Sequence, residues 1–249
     1  MKRYANKTIL VTGGNSGIGL ATAIAYANEG ARVIITGRDQ ATLDSAKELI
    51  GGQTIALRND QGSIADGRLL AKTLANQGIT LDAVFVNAGV AKFAPFADIE
   101  ESLWDQTFDV NVKGAYFLIQ ALTPLLNKGA AIVLNGSINA HIGMPKSSVY
   151  AASKAALISF AKTLSTELLG RGVRVNVVSP GPVSTPLYGK LGLEAEQLSE
   201  MAAGIQAQVP LKRFGTPDEV ASAVLYLSSP EAGFIVGTEL IVDGGMIQL

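Results

Sequence analysis

The stretch Thr8–Tyr26 constrains this chain more than any other. Its first part, Thr8 to Thr12, is apolar and β-branched and reads as a buried parallel strand. Its last part, Ile18 to Tyr26, is an Ala-rich helix former. Between them lies a turn with Gly13, Gly14, Gly17 and Gly19. Glycines let a backbone turn sharply and approach a pyrophosphate, and the free N–H groups of the following helix point at the anion. A strand, a Gly-rich turn and a helix are thus half of a dinucleotide site. The spacing here, Gly-x-x-x-Gly-x-Gly, departs from the commoner Gly-x-Gly-x-x-Gly, and such a turn alone is equally compatible with ordinary loop chemistry.

The rest of the chain repeats the alternation. Strand signals cover Ala31–Thr36, Thr54–Leu57, Leu81–Val86, Ala130–Leu134, Val173–Val178 and Leu240–Val242. Helical patterns cover Asp39–Ile50 with Asp39 as N-cap, then Ser63–Gln77, and Ile99–Leu126 with a break near Gly114. They continue through Val149–Leu169, Glu194–Gln208, and Thr216–Leu227 with Thr216 as cap and Pro217 at the first position. Alternating strands and helices with buried strands predict an α/β fold, one doubly wound parallel sheet with helices on both faces. No linker or repeat divides the 249 residues, so a single domain over 1–249 is expected. The irregular region at about 182–215 would overhang the carboxyl ends of the strands and reads as a substrate lid.

Composition narrows the partners. Hydrophobic residues make up 48% and charged residues 16%, enough for a large core. Net charge is −1 with no basic block, which argues against nucleic acid. Cysteine is absent and His141 is the single histidine, so thiol catalysis is excluded and no metal site is expected. The run Val110 to Leu126 carries Asn111, Lys113, Gln120 and Pro124 and reads as a buried helix rather than a membrane span. No apolar signal region precedes the first strand, and a cytoplasmic protein is expected.

Tyr150-Ala151-Ala152-Ser153-Lys154 is the second informative stretch. Residues four apart share a helix face, so Tyr150 and Lys154 can point into one space. An ammonium beside a phenol lowers the phenol's pKa from about 10 and fits it for proton transfer. A packed Tyr and a solvated Lys give the same spacing by coincidence, so context decides. Ser137 follows the fifth strand, and Asn111 sits within the preceding long helix.

Taken together, the sequence resembles a classical short-chain dehydrogenase/reductase. The resemblance rests on Thr12 to Gly19, Asp60, Asn87-Ala88-Gly89, Asn111 to Gly114, Ser137, Tyr150 to Lys154, Ser179-Pro180-Gly181 and Val242 to Gly245, in order along essentially the whole chain. The Gly spacing that misses the general fingerprint is the one this family uses. The resemblance implies a Rossmann-type, seven-stranded sheet and a catalytic tetrad of Asn111, Ser137, Tyr150 and Lys154. Tyr150 would exchange a proton with the substrate oxygen, Ser137 would fix that oxygen, Lys154 would hold the ribose and lower the Tyr150 pKa, and Asn111 would anchor a water leading to Lys154. Cofactor contacts are implied for Gly13, Asn15, Ser16, Gly17, Ile18, Gly19, Gly37, Arg38, Asp60, Asn87, Ala88, Gly89, Tyr150, Lys154, Pro180, Gly181, Val183 and Thr185.

NAD-specific relatives end the second strand with an acidic residue. Here that position is Gly37, followed by Arg38, which can pair with a 2′-phosphate. NADP(H) is therefore favoured, with NAD(H) left open. The substrate wall is expected from Ile138, Asn139, His141, Ile142, Met144, Val149, Pro182, Leu187 and Tyr188. Most are apolar, which suits a hydrophobic ketone or its alcohol. His141 is expected to be wall or surface rather than acid or base. Rival readings are a 3-oxoacyl-acyl-carrier-protein reductase, a sugar or polyol dehydrogenase, and, outside enzymes, a dinucleotide-sensing scaffold. Relatives are usually tetramers or dimers, so a homo-oligomer is implied, with Phe160, Leu164, Leu168 and the Ile241 to Leu249 end as its surfaces.

Overall fold

A computed structural model describes residues 2–185 and 194–249. Leu187 and Tyr188 lie outside the described residues. Seven parallel strands form one sheet in the order β3-β2-β1-β4-β5-β6-β7. They are β1 (Thr8–Thr12), β2 (Arg32–Gly37), β3 (Ile55–Arg58), β4 (Leu81–Val86), β5 (Leu126–Asn135), β6 (Arg174–Pro180) and β7 (Glu239–Val242). The helices are α1 (Gly17–Asn28), α2 (Gln40–Ile50), α3 (Ile64–Asn76), α4 (Glu101–Phe108), α5 (Ala115–Leu122), α6 (Ser148–Leu168), α7 (Ala195–Gln208) and α8 (Pro217–Ser228).

Strand residues point alternately to the two faces, so a strand covered on both sides must be apolar throughout. Leu10, Ile34, Val84 and Ile132 join one core with Leu74 of α3, Leu118 of α5 and Leu157 of α6. Their neighbours Ile9, Val11, Val33, Ile35, Phe85 and Val133 join the other core with Tyr26 of α1, Leu43 of α2 and Val224 of α8. Burying each such side chain stabilises the fold by roughly 1.5–3 kcal/mol. This is why the strand runs read as continuous apolar segments rather than alternating ones.

The caps match the sequence expectations. Asp39 accepts the Thr42 N–H at 2.8 Å, and Thr216 and Glu219 form a reciprocal capping box around Pro217. Two elements differ. β5 begins at Leu126, which pairs with Leu81, and the register then slips so that Ala83 meets Ala131. Polar Asn127-Lys128-Gly129, with Gly129 at φ +80°, is therefore an irregularity inside the strand rather than a turn before it. The expected break near Gly114 is instead a six-residue π-helical turn, Asp109–Gly114, continuous with α4 and α5. A side chain at Gly114 would overlap the Gln61 carbonyl oxygen, so glycine here serves close approach rather than helix termination.

β1 pairs with both β2 and β4, so the strand order reverses beside it. In such sheets the crevice beyond the carboxyl ends at this switch point takes the ligand. The excursion after β6 is closed on itself: Pro182 O accepts Gly215 N–H and Gly215 O accepts Ser184 N–H, both at 2.9 Å. Among the described residues no helix is long and apolar enough to cross a membrane.

Candidate active site

A cleft of about 500 Å³ opens at the carboxyl ends of the strands. At one end, Gly13 (φ +63°) and Gly17 (φ +52°) take left-handed backbone conformations that other residues resist. Ser16 caps α1 without a side-chain hydrogen bond, and the first turn holds no acidic residue. Gly13, Asn15, Ser16, Gly17 and Ile18 line the cleft, so the N–H groups that start α1 face it as an anion cradle. Gly19 stands behind this turn, where a Cβ would strike the Gly13 carbonyl, so the close packing of α1 on the turn requires glycine here.

Asn87 braces the floor. Its Nδ2 donates to Thr12 O at 2.9 Å and Gly13 O at 3.3 Å, and its Oδ1 accepts from Asn135 Nδ2 at 2.9 Å. One side chain thus ties the ends of β1, β4 and β5. Asn87, Ala88 and Gly89 line the cleft, as do Pro180, Gly181, Val183 and Thr185 on the far side.

Gly37, Arg38 and Asp60 form the other flank, together with Thr36, Asp39, Thr42, Asn59 and Gln61, none of which the sequence analysis assigned to the site. Asn15 crosses this flank, its Nδ2 donating to Thr42 Oγ1 at 2.8 Å. A Cβ at position 37 would lie 2.9 Å from Asn15 Oδ1, so Asn15 fills the space a longer side chain would need. The Asp39 carboxyl is committed to the Thr42 N–H, which holds its pKa below the usual range. Arg38 is exposed, and its carbonyl accepts from Arg58 Nε at 3.1 Å. Asn59 Nδ2, both polar atoms of the Gln61 amide and Asn135 Oδ1 are buried on cleft residues without a partner among the described residues. Buried polar atoms are rarely left unpaired. The left-handed glycines, the uncapped helix start and these orphan amides fit a polar, anionic dinucleotide.

The remaining end gathers Ser137, Tyr150 and Lys154. Ser137 follows β5, and Tyr150 and Lys154 sit one turn apart on α6. Burial pushes the Tyr150 phenol up from its ordinary value, and the Ser137 hydrogen bond opposes that rise. Burial also pushes the Lys154 ammonium down to about 8. The expected lowering of Tyr150 by Lys154 is not found. Lys154 Nζ turns to the Asn135 carbonyl at 2.7 Å and lies 5.7 Å from the Tyr150 ring centroid, so desolvation dominates both groups.

Asn111 does not line the cleft. It is buried beneath it in the π-helical turn, with Nδ2 donating to Val90 O at 2.9 Å and Ser153 Oγ at 3.0 Å. Its Oδ1 accepts the Val90 N–H at 2.8 Å. A Cβ at Gly89 would lie 3.1 Å from Asn111 Oδ1 and 3.6 Å from Lys154 Nζ, so bare backbone separates the two. Ser153, the partner that orients Asn111, was legible only as a small residue between Tyr150 and Lys154.

The substrate residues scatter. Ile138 and Val149 are buried and do not line the cleft described above. His141 Nε2 pairs with Glu239 at 2.8 Å, a partner on β7. Asn139 and Met144 meet each other through an Nδ2–Sδ contact at 3.7 Å, Ile142 is half-buried, and Pro182 pins Gly215.

A family model described as enoyl-(acyl carrier protein) reductase matches residues 13–247. The 2-(S)-hydroxypropyl-CoM dehydrogenase 3 of Xanthobacter autotrophicus is 37% identical, over 99% of this chain and 99% of its own. The 3-oxoacyl-acyl-carrier-protein reductase of Thermotoga maritima is 35% identical, over 98% of this chain and 99% of its own. A short-chain dehydrogenase from Burkholderia cenocepacia, solved in complex with NADP, superposes with a TM-score of 0.87 at 33% identity, covering 98% and 99% of the two chains.

The chain is a classical short-chain dehydrogenase/reductase. It belongs to a family of oxidoreductases acting on alcohol and carbonyl groups with NAD(P). In a short-chain dehydrogenase/reductase the clustering just described has a chemical sense. A neutral phenol can donate a proton, and a hydroxyl beside it can donate a hydrogen bond.

Proposed function

We propose that this chain is an NADP(H)-dependent oxidoreductase interconverting a hydrophobic ketone and its secondary alcohol. The observation that carries the reading is the meeting of Ser137 and Tyr150 over buried Lys154 at the end of the cleft. When bound, the nicotinamide supplies the hydride. Gly13, Ser16, Gly17 and Ile18 would hold the pyrophosphate, Asp60 the adenine, and Lys154 the ribose hydroxyls. In the reductive direction Tyr150 gives its proton to the carbonyl oxygen, and Ser137 donates a hydrogen bond to that oxygen where negative charge develops. Asn111 positions Val90 and, with Ser153, the helix turn beneath Lys154, supporting the route by which Tyr150 regains its proton. Gly37 and Arg38 favour the 2′-phosphate. Asn15 occupies the space where an acidic side chain would reach the ribose.

The region of about 182–215 serves as the substrate lid, and the chain works in the cytoplasm as a homo-oligomer, tetramer or dimer. A carrier-protein substrate is the second reading, favoured by the Thermotoga maritima relative. Against it, Arg213 is paired with Glu219 at 2.6 Å and Lys212 Nζ donates to Ala207 O at 2.8 Å, so neither cation is held ready for a phosphate. Steady-state assays of aryl ketones, diketones, acetoacetyl thioesters, sugars and steroids with both cofactors test the reading. Turnover of hydrophobic ketones with NADPH is expected; thioester-only turnover or a clear NADH preference overturns it.

A further inference from the structure

Phe93 stands beside the reacting groups and takes no part in the chemistry described above. The segment that follows β4 is pinned at two points. Asn111 grips Val90 by both its N–H and its C=O, and Ala94 donates its N–H to the Lys146 carbonyl at 3.0 Å. Lys146 is itself held in left-handed backbone at φ +68° just before α6. Between these anchors the Phe93 ring lies edge-on to Tyr150, with centroids 5.6 Å and planes 63° apart. The large aromatic rings of the core, Phe85 and Tyr26, are fully buried, yet Phe93 keeps 36% of its surface exposed. Small apolar Val90 and Ala91 carry the cleft wall up to it, while the charges of Lys92 and Lys146 are exposed to solvent.

An apolar ring held in place with its surface open is prepared to be covered, since ordering it adds no further cost on binding. Aromatic rings add a geometric preference, because offset and edge-to-face pairs gain beyond the area they bury. We infer that Phe93 is a specificity-determining residue, selecting carbonyl compounds that carry an aryl or comparably flat apolar substituent on the reacting carbon. The inference rests on Tyr150 being the acid that meets the carbonyl oxygen. A ring attached directly to that carbon then falls beside Tyr150, where Phe93 waits. Phe96, three residues on, is almost wholly exposed and has no comparable contact with Tyr150 among the described aromatic pairs, so exposure alone does not single out Phe93.

The test measures binding, not only turnover. Protein saturated with the oxidised dinucleotide it binds better is titrated calorimetrically with acetophenone, cyclohexyl methyl ketone and 2-butanone, for the parent chain, Phe93→Leu and Phe93→Ala. Acetophenone affinity should fall about tenfold in Phe93→Ala, with an intermediate loss in Phe93→Leu and under about threefold loss for 2-butanone. Dinucleotide affinity should stay constant, which separates this effect from misfolding. Equal losses for all three ketones, no loss, or no acetophenone binding by the parent chain overturns the inference. A Tyr150→Phe variant separates the two readings, because it keeps the ring contact and removes the proton. Full turnover in that variant refutes the proposed acid and leaves the Phe93 binding result standing on its own.

Discussion

Lys154 Nζ donates to the main-chain carbonyl of Asn135 at 2.7 Å, tying α6 to the last residue of β5 directly below Tyr150. Asn135 in turn donates through Nδ2 to Asn87, and Asn87 to Thr12, so the cation is fixed to the ends of three adjacent strands. A carbonyl dipole compensates a buried charge only partly, and the ammonium titrates at about 8.

Lys154 therefore lowers the stability of the cofactor-free protein near neutrality. Its folded value of about 8 lies below the 10.5 of an unburied lysine, so the unfolded chain binds more protons between these limits. The cost is fully present below about pH 8 and disappears as pH rises toward the unfolded value. Lys154→Met should raise urea stability at pH 7 by on the order of 2–3 kcal/mol at most, while abolishing turnover. The gain should shrink when the denaturation is repeated near pH 10. An equal gain at both pH values would show that packing, not charge, is responsible.

The phenol of Tyr150, raised by burial, is protonated at neutral pH. Reduction needs that proton and oxidation needs it gone. Ketone reduction should hold through neutrality and decline at alkaline pH, while alcohol oxidation climbs over the same range. Ser137→Ala removes the hydrogen bond that opposes the rise, so the alkaline limb for oxidation should move to higher pH. The same variant should lose about 10²–10³-fold in kcat. Profiles of kcat/KM against pH in both directions provide the measurement; an unmoved limb counts against the Ser137 contact.

Cofactor choice depends on Asn15 as well as on Gly37 and Arg38. Gly37→Asp alone places its Cβ 2.9 Å from Asn15 Oδ1 and should shift preference toward NADH weakly. Adding Asn15→Gly opens the space and should complete the change. Arg38→Leu should raise KM for NADPH about tenfold or more with little effect on NADH. Single and double variants assayed with both cofactors decide the matter, and a Gly37→Asp variant as NADH-selective as the double would refute the role of Asn15.

Gly114→Ala would drive a Cβ into the Gln61 carbonyl, a backbone atom with no rotamer to yield. Overpacking of this kind costs about 1–3 kcal/mol, and the strain falls on the turn that carries Asn111. The urea midpoint should drop accordingly. A neutral substitution would mean that the π-helical turn relaxes freely.

His141 pairs with Glu239 of β7 and does not line the cleft. His141→Gln should leave kcat within about threefold and cost under about 1 kcal/mol. A loss of the size expected for Ser137→Ala would place His141 among the catalytic groups.

The local pieces were legible in the residues alone. Apolar β-branched runs, caps such as Asp39 and Thr216, and the Gly13 to Gly19 turn are decided by backbone sterics and near-neighbour hydrogen bonds, so their order alone implied the doubly wound sheet and the place of its crevice. Tyr150 and Lys154 were legible for the same reason, because helix periodicity sets them on one face. What lies across the sheet from what emerged from the packed fold. It turned Lys154 to Asn135, buried Ile138 and Val149, gave His141 to Glu239, gave Asn111 to Val90 and Ser153, and set Phe93 against Tyr150. These contacts join residues distant in the chain. Packing and desolvation fix them, and neither leaves a periodicity that a sequence can display.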